Sequence, residues 1–376
     1  MSASGWGLPF PSSGAEIAQL FWRRRLPLAL VLLVGSSIAS VALGEALLRA
    51  TGARPMFVNP EHALLWRHDP KLGWHHQAGQ RASVFIPRYM SYEVRINAKE
   101  LRGPDVPYER SAGHPRVLML GDSQTWGVGV AEDETAASVL QAATGAEVIN
   151  GGVSGFSTDQ ELQWLLAEGV RYRPDLVVLV ISGNDDWGNL RERMYWIYGK
   201  PRYRLTSAGL VLDNVPVPPP PQWRRTALWV RTHSALLFRT ELLIERAVPG
   251  RLARIAAGEP ASGQPFPFAL TLALVDEIGR VAAAAGARLL VVTSAFDWLP
   301  PEEFPRSTYR DFVDALRRRG SIVIDTTGDA EFDRARMNGP DGHWNANGHR
   351  FVADRIAAEI ERHGLLSAAT PNKVRE

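Results

Sequence analysis

The sequence predicts an α/β domain built on one doubly wound parallel sheet. From Pro115 onward, short apolar runs alternate with segments of helical periodicity, a pattern typical of parallel strands joined by crossover helices. The run "DLVVLVIS" at 175–182 is apolar at successive positions, as expected of a strand that helices cover on both faces. Five runs of this kind fit a single sheet.

The strands and helices of this sheet follow each other along the chain. The predicted strands are "RVLML", "AEVIN", "DLVVLVIS", "ARLLVVTS" and "SIVID". The predicted helices are "EDETAASVLQAATG", "TDQELQWLLAEGVRY", "ALTLALVDEIGRVAAAAG", "STYRDFVDALRRRG" and "NANGHRFVADRIAAEIERHG". Gly145 is expected to end the first helix, and the spacing Thr158-x-x-Glu161 predicts a capping box at the start of the second.

An insertion at 187–266 interrupts this alternation and is too long for a plain loop. It predicts a hairpin, a stiff polyproline stretch and one amphipathic helix over "TALWVRTHSALLFRTELLIERAV". Seven arginines between Arg224 and Arg254 are accompanied by only Glu241 and Glu245. This basic segment is either a solvated helix face or a surface for anionic lipid or acidic polysaccharide.

Composition excludes several classes of function. The formal net charge of +2 gives no reason to expect a nucleic-acid partner, and the hydrophobic and charged fractions are ordinary for a folded protein. The absence of cysteine excludes disulfides, thiolate metal sites and a cysteine nucleophile. We see no set of metal ligands, and we expect no cofactor. The oligomeric state does not follow from the sequence.

The N-terminus predicts a membrane anchor. Three arginines at 23–25 precede an uncharged run from Leu26 to Gly44, which as a helix would span about 28 Å, close to the roughly 30 Å of a bilayer core. The basic flank places the N-terminus in the cytoplasm and the rest of the chain outside it, in the periplasm or at the cell surface. A cleaved signal peptide is the alternative, since Ser40-Val41-Ala42 has the small-x-small form of a cleavage site.

These observations divide the chain into four segments. They are a cytoplasmic N-terminus at 1–25, a membrane anchor at 26–48, an accessory β-rich segment at 51–113, and a catalytic domain at 114–365 that contains the insertion at 187–266. Within the accessory segment, "SVFIPRYMSYEVRIN" predicts two short strands.

Polar loops follow four of the predicted elements. In a parallel sheet, ligands bind beyond the carboxyl ends of the strands, where the strand order reverses, so we expect these loops to meet. They are Gly121-Asp122-Ser123, then "NGGVSG" at 150–155, then Ser182-Gly183-Asn184-Asp185, and "PDGHWNANGH" at 340–349.

Together the four loops hold the parts of an acyl-transfer site. Ser123 supplies a hydroxyl nucleophile, and His343 is the candidate base because its pKa normally lies near neutrality. Asp341, two residues earlier, is placed to orient the imidazole. The candidate oxyanion donors are the backbone N–H groups of Ser123 and Gly155 and the side-chain amide of Asn184.

These motifs resemble the four blocks of the SGNH, or GDSL-type, hydrolases over roughly residues 60–365. "LGDSQTWG", "NGGVSGFSTDQ", "SGNDD" and "DGHWNANGH" match the blocks that centre on Ser, Gly, Asn and His. The resemblance implies a flavodoxin-like three-layer α/β/α sandwich with a five-stranded parallel sheet. Many members space the acid and base as Asp-x-x-His, whereas this chain has Asp-x-His, so Asp325 is the fallback for Asp341.

The resemblance implies an ester hydrolase, and three functions stay open. The first is a membrane-anchored esterase that removes acyl groups, expected to be acetyl, from a glycan or a small ester outside the cytoplasm. The second is a cell-envelope O-acyltransferase with the same triad, and the third is a non-catalytic glycan-binding scaffold. Trp126, Trp187 and Trp344 lie near the blocks, where their rings either line the substrate or pack beneath the loops.

Overall fold

The computed structural model describes residues 14–53, 65–86, 90–111, 113–190, 193–194, 198–248, 268–294, 306–339 and 342–366. Its strands are β1 Trp66–Asp69, β2 Gly73–His76, β3 Arg81–Ile86, β4 Met90–Arg95, β5 Arg116–Leu120, β6 Glu147–Asn150, β7 Leu176–Ile181, β8 Arg193–Met194, β9 Tyr198–Gly199, β10 Arg202–Thr206, β11 Gly209–Asp213, β12 Arg288–Thr293 and β13 Ile322–Asp325. Its α-helices are α1 Gly14–Ala50, α2 Ser123–Trp126, α3 Ala136–Thr144, α4 Thr158–Ala167, α5 Gly183–Asn189, α6 Gln222–His233, α7 Ala235–Ala247, α8 Phe268–Ala284, α9 Arg306–Arg318, α10 Arg334–Met337 and α11 Ala346–His363.

The five predicted strands form one parallel sheet. Their spatial order is β6-β5-β7-β12-β13, and every neighbouring pair is parallel. Counted along the chain this order is 2-1-3-4-5, which is the flavodoxin-like order. It confirms the predicted α/β fold and puts the switch point between the carboxyl ends of β5 and β7, the strands that precede Ser123 and Asn184.

Helices cover both faces of this sheet. Leu118 and Leu120 of β5 belong to the core beneath α4, α8 and α9, whereas Val117 and Met119 belong to the core beneath α3 and α11. Alternate side chains of a strand point to opposite faces, so a strand that is apolar at every position stabilises both cores. Gly145 ends α3 in the left-handed conformation, as its position predicts.

The accessory segment is built from two antiparallel hairpins. β1 pairs with β2, and β3 pairs with β4 from Arg81 opposite Arg95 to Ile86 opposite Met90. The last pair contains the two strands predicted from "SVFIPRYMSYEVRIN". Leu65, Trp74 and Ile96 from this segment are buried in the same core as α4. The accessory segment therefore packs directly on the helix layer of the sheet.

The N-terminal helix α1 contains a stretch, Pro27–Ala50, that is long and apolar enough to cross a membrane and has exposed side chains.

In the insertion, the predicted hairpin is β10 paired with β11. The single amphipathic helix predicted after it is wrong, because the chain forms α6 and α7 with a break at Ser234. Ser234 adopts extended backbone angles there, and its hydroxyl caps α7 by accepting from the N–H of Leu237 at 3.1 Å.

Candidate active site

Ser123 begins α2 directly after the sharp turn that ends β5. Gly121 has φ of 154°, and a Cβ atom there would lie 2.1 Å from Oγ1 of Thr125, so only glycine fits this turn. Asp122 caps the short helix by accepting from the N–H of Gln124 at 2.9 Å. The turn and the cap place Ser123 at the carboxyl edge of the sheet.

The imidazole of His343 reaches Ser123 from the loop before α11. Its Nε2 lies 2.9 Å from Oγ of Ser123, although the two residues are 220 positions apart. The pairing joins the hydroxyl of one predicted block to the base of another. A serine hydroxyl hydrogen-bonded to an imidazole is the arrangement in which proton transfer activates an oxygen nucleophile.

Gln124, the residue after Ser123, holds the histidine loop on both sides of His343. Its Nε2 donates to the carbonyl of Gly342 at 3.3 Å, and its Oε1 accepts from the N–H of Trp344 at 2.9 Å. The α2 helix therefore carries the nucleophile and also fixes the backbone that carries its base. Sequence reasoning missed this role, because a glutamine inside a motif gives no sign of a partner more than 200 residues away.

The two candidates for the triad acid are Asp341 and Asp325. Asp341 lies outside the described residues. Asp325 ends β13, and its Oδ1 accepts from the Tyr309 hydroxyl at 2.5 Å and from the N–H groups of Thr327 and Gly328 at 3.1 and 2.9 Å. Two strands separate β13 from β5, which at about 4.8 Å per strand puts Asp325 about 14 Å from the Ser123 turn. The structure therefore gives Asp325 a local structural role at the far edge of the sheet.

The loop that carries Gly155 lies directly on the Ser123 turn. The N–H of Val153 donates to the carbonyl of Gly121 at 3.0 Å. A Cβ atom on Gly152 would meet the backbone nitrogen of Trp126 at 2.4 Å, so glycine permits this approach. Among the described residues, neither the N–H of Ser123 nor that of Gly155 has a hydrogen-bond partner. One open donor thus lies on the serine itself and one on the loop that contacts its turn.

The backbone of Asn184 lies in the first turn of α5, directly after β7. Its side chain is outside the described part of the structure. Ser182, two residues earlier, joins this helix to the serine turn, because its hydroxyl donates to Asp122 and its N–H donates to Asp185 at 2.7 Å. The block that contains Asn184 is therefore fixed beside the block that contains Ser123.

Four acidic residues in the first turns or caps of α2, α4 and α5 are buried together, and we call them the carboxyl cluster (Asp122, Asp159, Glu161 and Asp185). Asp159 forms an ion pair with Nζ of the buried Lys200 at 2.5 Å. Asp185 accepts from the Thr158 hydroxyl at 3.2 Å. Acidic groups are stabilised at helix N-termini by the helix dipole. This cluster joins the helices that contain Ser123 and Asn184 to α4, which follows the Gly155 loop.

Burial changes the protonation of this cluster. The pKa of Glu161 is raised well above its usual value, mainly by burial and next by the charge of Asp185. Burial and the charge of Asp122 do the same to the pKa of Asp185. Neither oxygen of Glu161 has a hydrogen-bond partner among the described residues, so the predicted capping box is wrong. The helix instead begins after Ser157, and the Thr158 hydroxyl is used by Asp185.

Two of the three candidate substrate-lining tryptophans are buried. Trp126 is 0 % exposed and packs between His76, Tyr92 and Arg102. Trp344 is 1 % exposed and lies in the core beneath α3 and α11. The substrate-lining role is thus corrected to packing beneath the loops for these two rings. The side chain of Trp187 lies outside the described residues.

Arg102 of the accessory segment is a positioning residue that the sequence analysis did not identify. Its buried guanidinium donates to the carbonyls of Trp126 at 3.0 Å, Gly127 and Val130 at 2.6 Å, and to Glu132 at 3.1 Å. Burial lowers the pKa of this guanidinium. The contacts fix the chain where α2 ends, three residues after Ser123.

A second contact from the accessory segment reaches the Gly155 loop. Nε1 of Trp74 donates to the carbonyl of Ser154 at 3.2 Å. Arg102 and Trp74 thus support the two loops that flank the serine. Among the described residues, no group of three or more His, Asp or Glu side chains could hold a metal ion.

Comparison with protein-family models assigns this part of the chain to a known family. Residues 119–351 match the model of the GDSL-like lipase/acylhydrolase family, a span that is more than half of the chain. A search of curated protein sequences finds no match.

Several solved structures resemble the chain at low identity. TesA is 15 % identical, with 67 % of this chain and 99 % of TesA covered and a TM-score of 0.38. A lipase/acylhydrolase from Enterococcus faecalis is 16 % identical, with 68 % of this chain and 98 % of that one covered and a TM-score of 0.38. A carbohydrate esterase family 2 enzyme with a carbohydrate-binding domain from Corynascus thermopiles is 15 % identical, with 69 % of this chain and 68 % of that one covered and a TM-score of 0.38.

Proposed function

Because this chain belongs to the GDSL-like lipase/acylhydrolase family, also called SGNH hydrolases, we propose that it is a membrane-anchored serine esterase that works outside the cytoplasm. The observation that carries the proposal is the 2.9 Å contact between Nε2 of His343 and Oγ of Ser123. Its substrate is an acyl ester of a glycan or a small molecule. The apolar stretch of α1, which follows the three arginines at 23–25, supports the anchor.

In the proposed reaction, His343 accepts the proton of Ser123 while Oγ attacks the carbonyl carbon of the ester. The developing oxyanion is held by the N–H groups of Ser123 and Gly155, which are open among the described residues, and by the side-chain amide of Asn184. His343 then returns the proton to the leaving alcohol. An acyl group stays on Ser123, and water activated by the same histidine releases it.

Asp341 is the proposed partner of His343 in this reaction. Its place two residues earlier allows its carboxylate to accept from Nδ1–H and keep Nε2 directed at the serine. The local bonds of Asp325 support this choice, because its Oδ1 already accepts three hydrogen bonds at the other edge of the sheet.

We propose that the acyl group is short, with acetyl as the expected case. Ser123 is only 9 % exposed, and the buried Trp126 and Trp344 fill the space behind its loop and the histidine loop. Little room is therefore left for a long chain at the reacting carbon. A long chain would require these packed indoles to move.

The test compares the full chain in detergent with its Ser123→Ala variant on p-nitrophenyl acetate and p-nitrophenyl octanoate. We expect turnover of acetate, a lower kcat/KM on octanoate and loss of both in the variant. Ser83→Ala, at an exposed residue of the β3–β4 hairpin, is the control and should keep full activity.

A second arm of the test adds a glycan acceptor to the same reactions. Acyl transfer to the glycan at the expense of free acetate would identify an O-acyltransferase instead of an esterase. Glycan binding without any turnover would identify the non-catalytic scaffold.

A further inference from the structure

The end of the proposed membrane helix is attached to the helical hairpin α6–α7 (222–247). Glu45 is the first charged residue after the apolar run, and its carboxylate accepts from the Ser234 hydroxyl and from the N–H groups of Ala235 and Leu236, each at 2.9 Å. These groups form the N-terminus of α7, where an acidic partner is stabilised by open N–H donors and the helix dipole. The junction between α6 and α7 is thus fixed at the level where the uncharged run 26–44 of α1 ends.

Two more contacts define the same junction. Nη2 of Arg49, one turn beyond Glu45, donates to the carbonyl of His233 at 2.5 Å. A Cβ atom on Gly44 would lie 3.5 Å from Cδ2 of Leu236, so the two helices approach closely at the last residue of the apolar run. A single register between α1 and the hairpin satisfies all of these contacts. The depth of the hairpin therefore follows from the depth of α1.

The hairpin exposes several large apolar side chains. Trp223 and Trp229 of α6 are 59 % and 61 % exposed, and Leu243 of α7 is 64 % exposed. Val230, Ile244 and Val248 add to the apolar surface. Soluble surfaces rarely expose so many large apolar residues close together, and tryptophan is enriched where proteins meet the headgroup region of a bilayer.

The charge of the hairpin favours an anionic surface. Residues 222–247 contain five arginines, at 224, 225, 231, 239 and 246, and two glutamates. Arg225 and Arg239 are exposed. Basic residues beside exposed apolar ones are the composition of helices that lie in the interface of membranes with anionic lipids.

We propose that the α6–α7 hairpin lies in the headgroup region of the membrane that α1 spans, with its apolar side chains in the interface and its arginines at anionic lipid headgroups. The inference rests on the proposed anchoring by α1. The hairpin is then a second membrane contact, and together with α1 it fixes the orientation of the catalytic domain against the bilayer.

The experiment uses the full chain, whose lack of cysteine allows single labels to be placed without background. Trp229→Cys, Leu243→Cys, Val34→Cys and Leu166→Cys are each coupled to an environment-sensitive fluorophore and reconstituted in vesicles. Leu166, which is 45 % exposed on α4, is the control on the catalytic domain, and Val34 reports on the anchor. Each labelled protein must keep the wild-type unfolding temperature.

The quenchers are lipids with a nitroxide near the headgroup or deep in the acyl chain. We expect loss of fluorescence with the shallow quencher at positions 229 and 243, loss with the deep quencher at position 34, and no loss at position 166. Replacing phosphatidylglycerol by phosphatidylcholine, or introducing Arg225→Gln with Arg239→Gln, should weaken the shallow quenching at 229 and 243.

Three results would overturn the proposal. Quenching at position 34 with none at 229 and 243 would leave the anchor in place and refute the interfacial hairpin. No quenching at any position would refute the anchor and the hairpin together. Iodide, a quencher dissolved in the water, gives the third result. If the labels at 229 and 243 are protected from iodide without being quenched by the lipids, and this protection increases with protein concentration, a second copy of the chain covers this surface.

Discussion

The guanidinium of Arg102 lies 4.9 Å from the centre of the Trp126 indole and donates to the carbonyl of the same residue. A residue of the accessory segment therefore holds both the side chain and the backbone at the end of the helix that begins with Ser123. The nucleophile of the proposed reaction is positioned from outside the sheet as well as from within it.

Replacing this guanidinium by an apolar side chain of similar length should unfold the α2 end of the site. In Arg102→Met, the carbonyls of Trp126, Gly127 and Val130 lose their donor, at about 1 kcal/mol each, so we expect a loss of about 3 kcal/mol in the free energy of unfolding. Urea unfolding of the full chain in detergent measures it.

Arg110→Met is the matched control for this change. Arg110 pairs with Asp175 at 2.7 Å, and both side chains are about one third exposed, so its removal should cost less than about 1 kcal/mol. Equal losses in the two variants would mean that the Arg102 contacts do not stabilise the helix end.

Gln124 should affect the rate of reaction more than stability or substrate binding. In Gln124→Met the clamp on Gly342 and Trp344 is lost, so His343 is no longer held in line with Ser123. Because small displacements of reacting groups cost large factors in rate, we expect kcat to fall about 10–100-fold with KM nearly unchanged. Steady-state kinetics on p-nitrophenyl acetate separate the two constants.

The control for the glutamine is Gln163→Met on α4, whose amide donates to the Tyr203 hydroxyl away from the histidine loop. It should keep the wild-type kcat. A Gln124 variant with unchanged kcat, or with KM as its main change, would show that the clamp does not position the base.

The identity of the triad acid can be tested by comparing two conservative variants. Asp341→Asn should lower kcat by about 10³–10⁴-fold, because an amide cannot stabilise the imidazolium that forms on His343. Asp325→Asn should change the unfolding temperature instead, since its Oδ1 accepts from Tyr309 and two backbone N–H groups. The opposite result, with kcat lost only in the Asp325 variant, would make Asp325 the acid.

Asp186 should make the protein less stable as pH rises. Burial raises its pKa to about 6, and the Thr271 hydroxyl, a donor at 2.5 Å, offsets only part of the shift. An unfolded aspartate has a pKa of about 3.9, so the folded state binds this proton more tightly. The resulting stabilisation is complete below about pH 4 and is lost as pH rises through about 6.

The variant Asp186→Asn removes this titration and keeps an oxygen to accept from Thr271. The free energy of unfolding of the variant, minus that of wild type, should increase by about 3 kcal/mol as the pH rises from about 4 to about 7. Thr271→Val leaves the carboxyl group in place and removes the hydroxyl that lowers its pKa, so the fall in stability with pH should be at least as large as in wild type. A pH dependence of Asp186→Asn that parallels wild type would refute the assignment.

The sequence predicted the sheet and the pairing of Ser123 with His343 from local signals. Apolar runs such as 176–181 can be recognised from a few consecutive residues. Polar loops after the strands are expected to meet because ligands bind at the carboxyl edge of a parallel sheet. The contact of His343 with Ser123 then requires that their two loops meet at one edge of the sheet.

The supports of the site could not be predicted in the same way. Trp74 contacts Ser154 across 80 positions, and Gln124 contacts Trp344 across 220, so neither pair leaves a periodic signal. The spacing of Glu161 from Thr158 predicts a cap, whereas in the structure burial and neighbouring acids decide its environment. Trp126 lies in a motif that faces the site, yet three-dimensional packing directs its ring inward.

Covalent labelling of Ser123 tests the central proposal most directly. The full chain in detergent is treated with a fluorophosphonate, which reacts with serines that a neighbouring base activates, and the modified peptide is identified by mass spectrometry. We predict modification of Ser123 in the wild-type protein and in Gln163→Met, and at least a hundredfold slower modification in His343→Ala, consistent with about 10²-fold or more from general-base assistance. No label on Ser123, or equal labelling rates with and without His343, would contradict the assignment of these two residues as nucleophile and base.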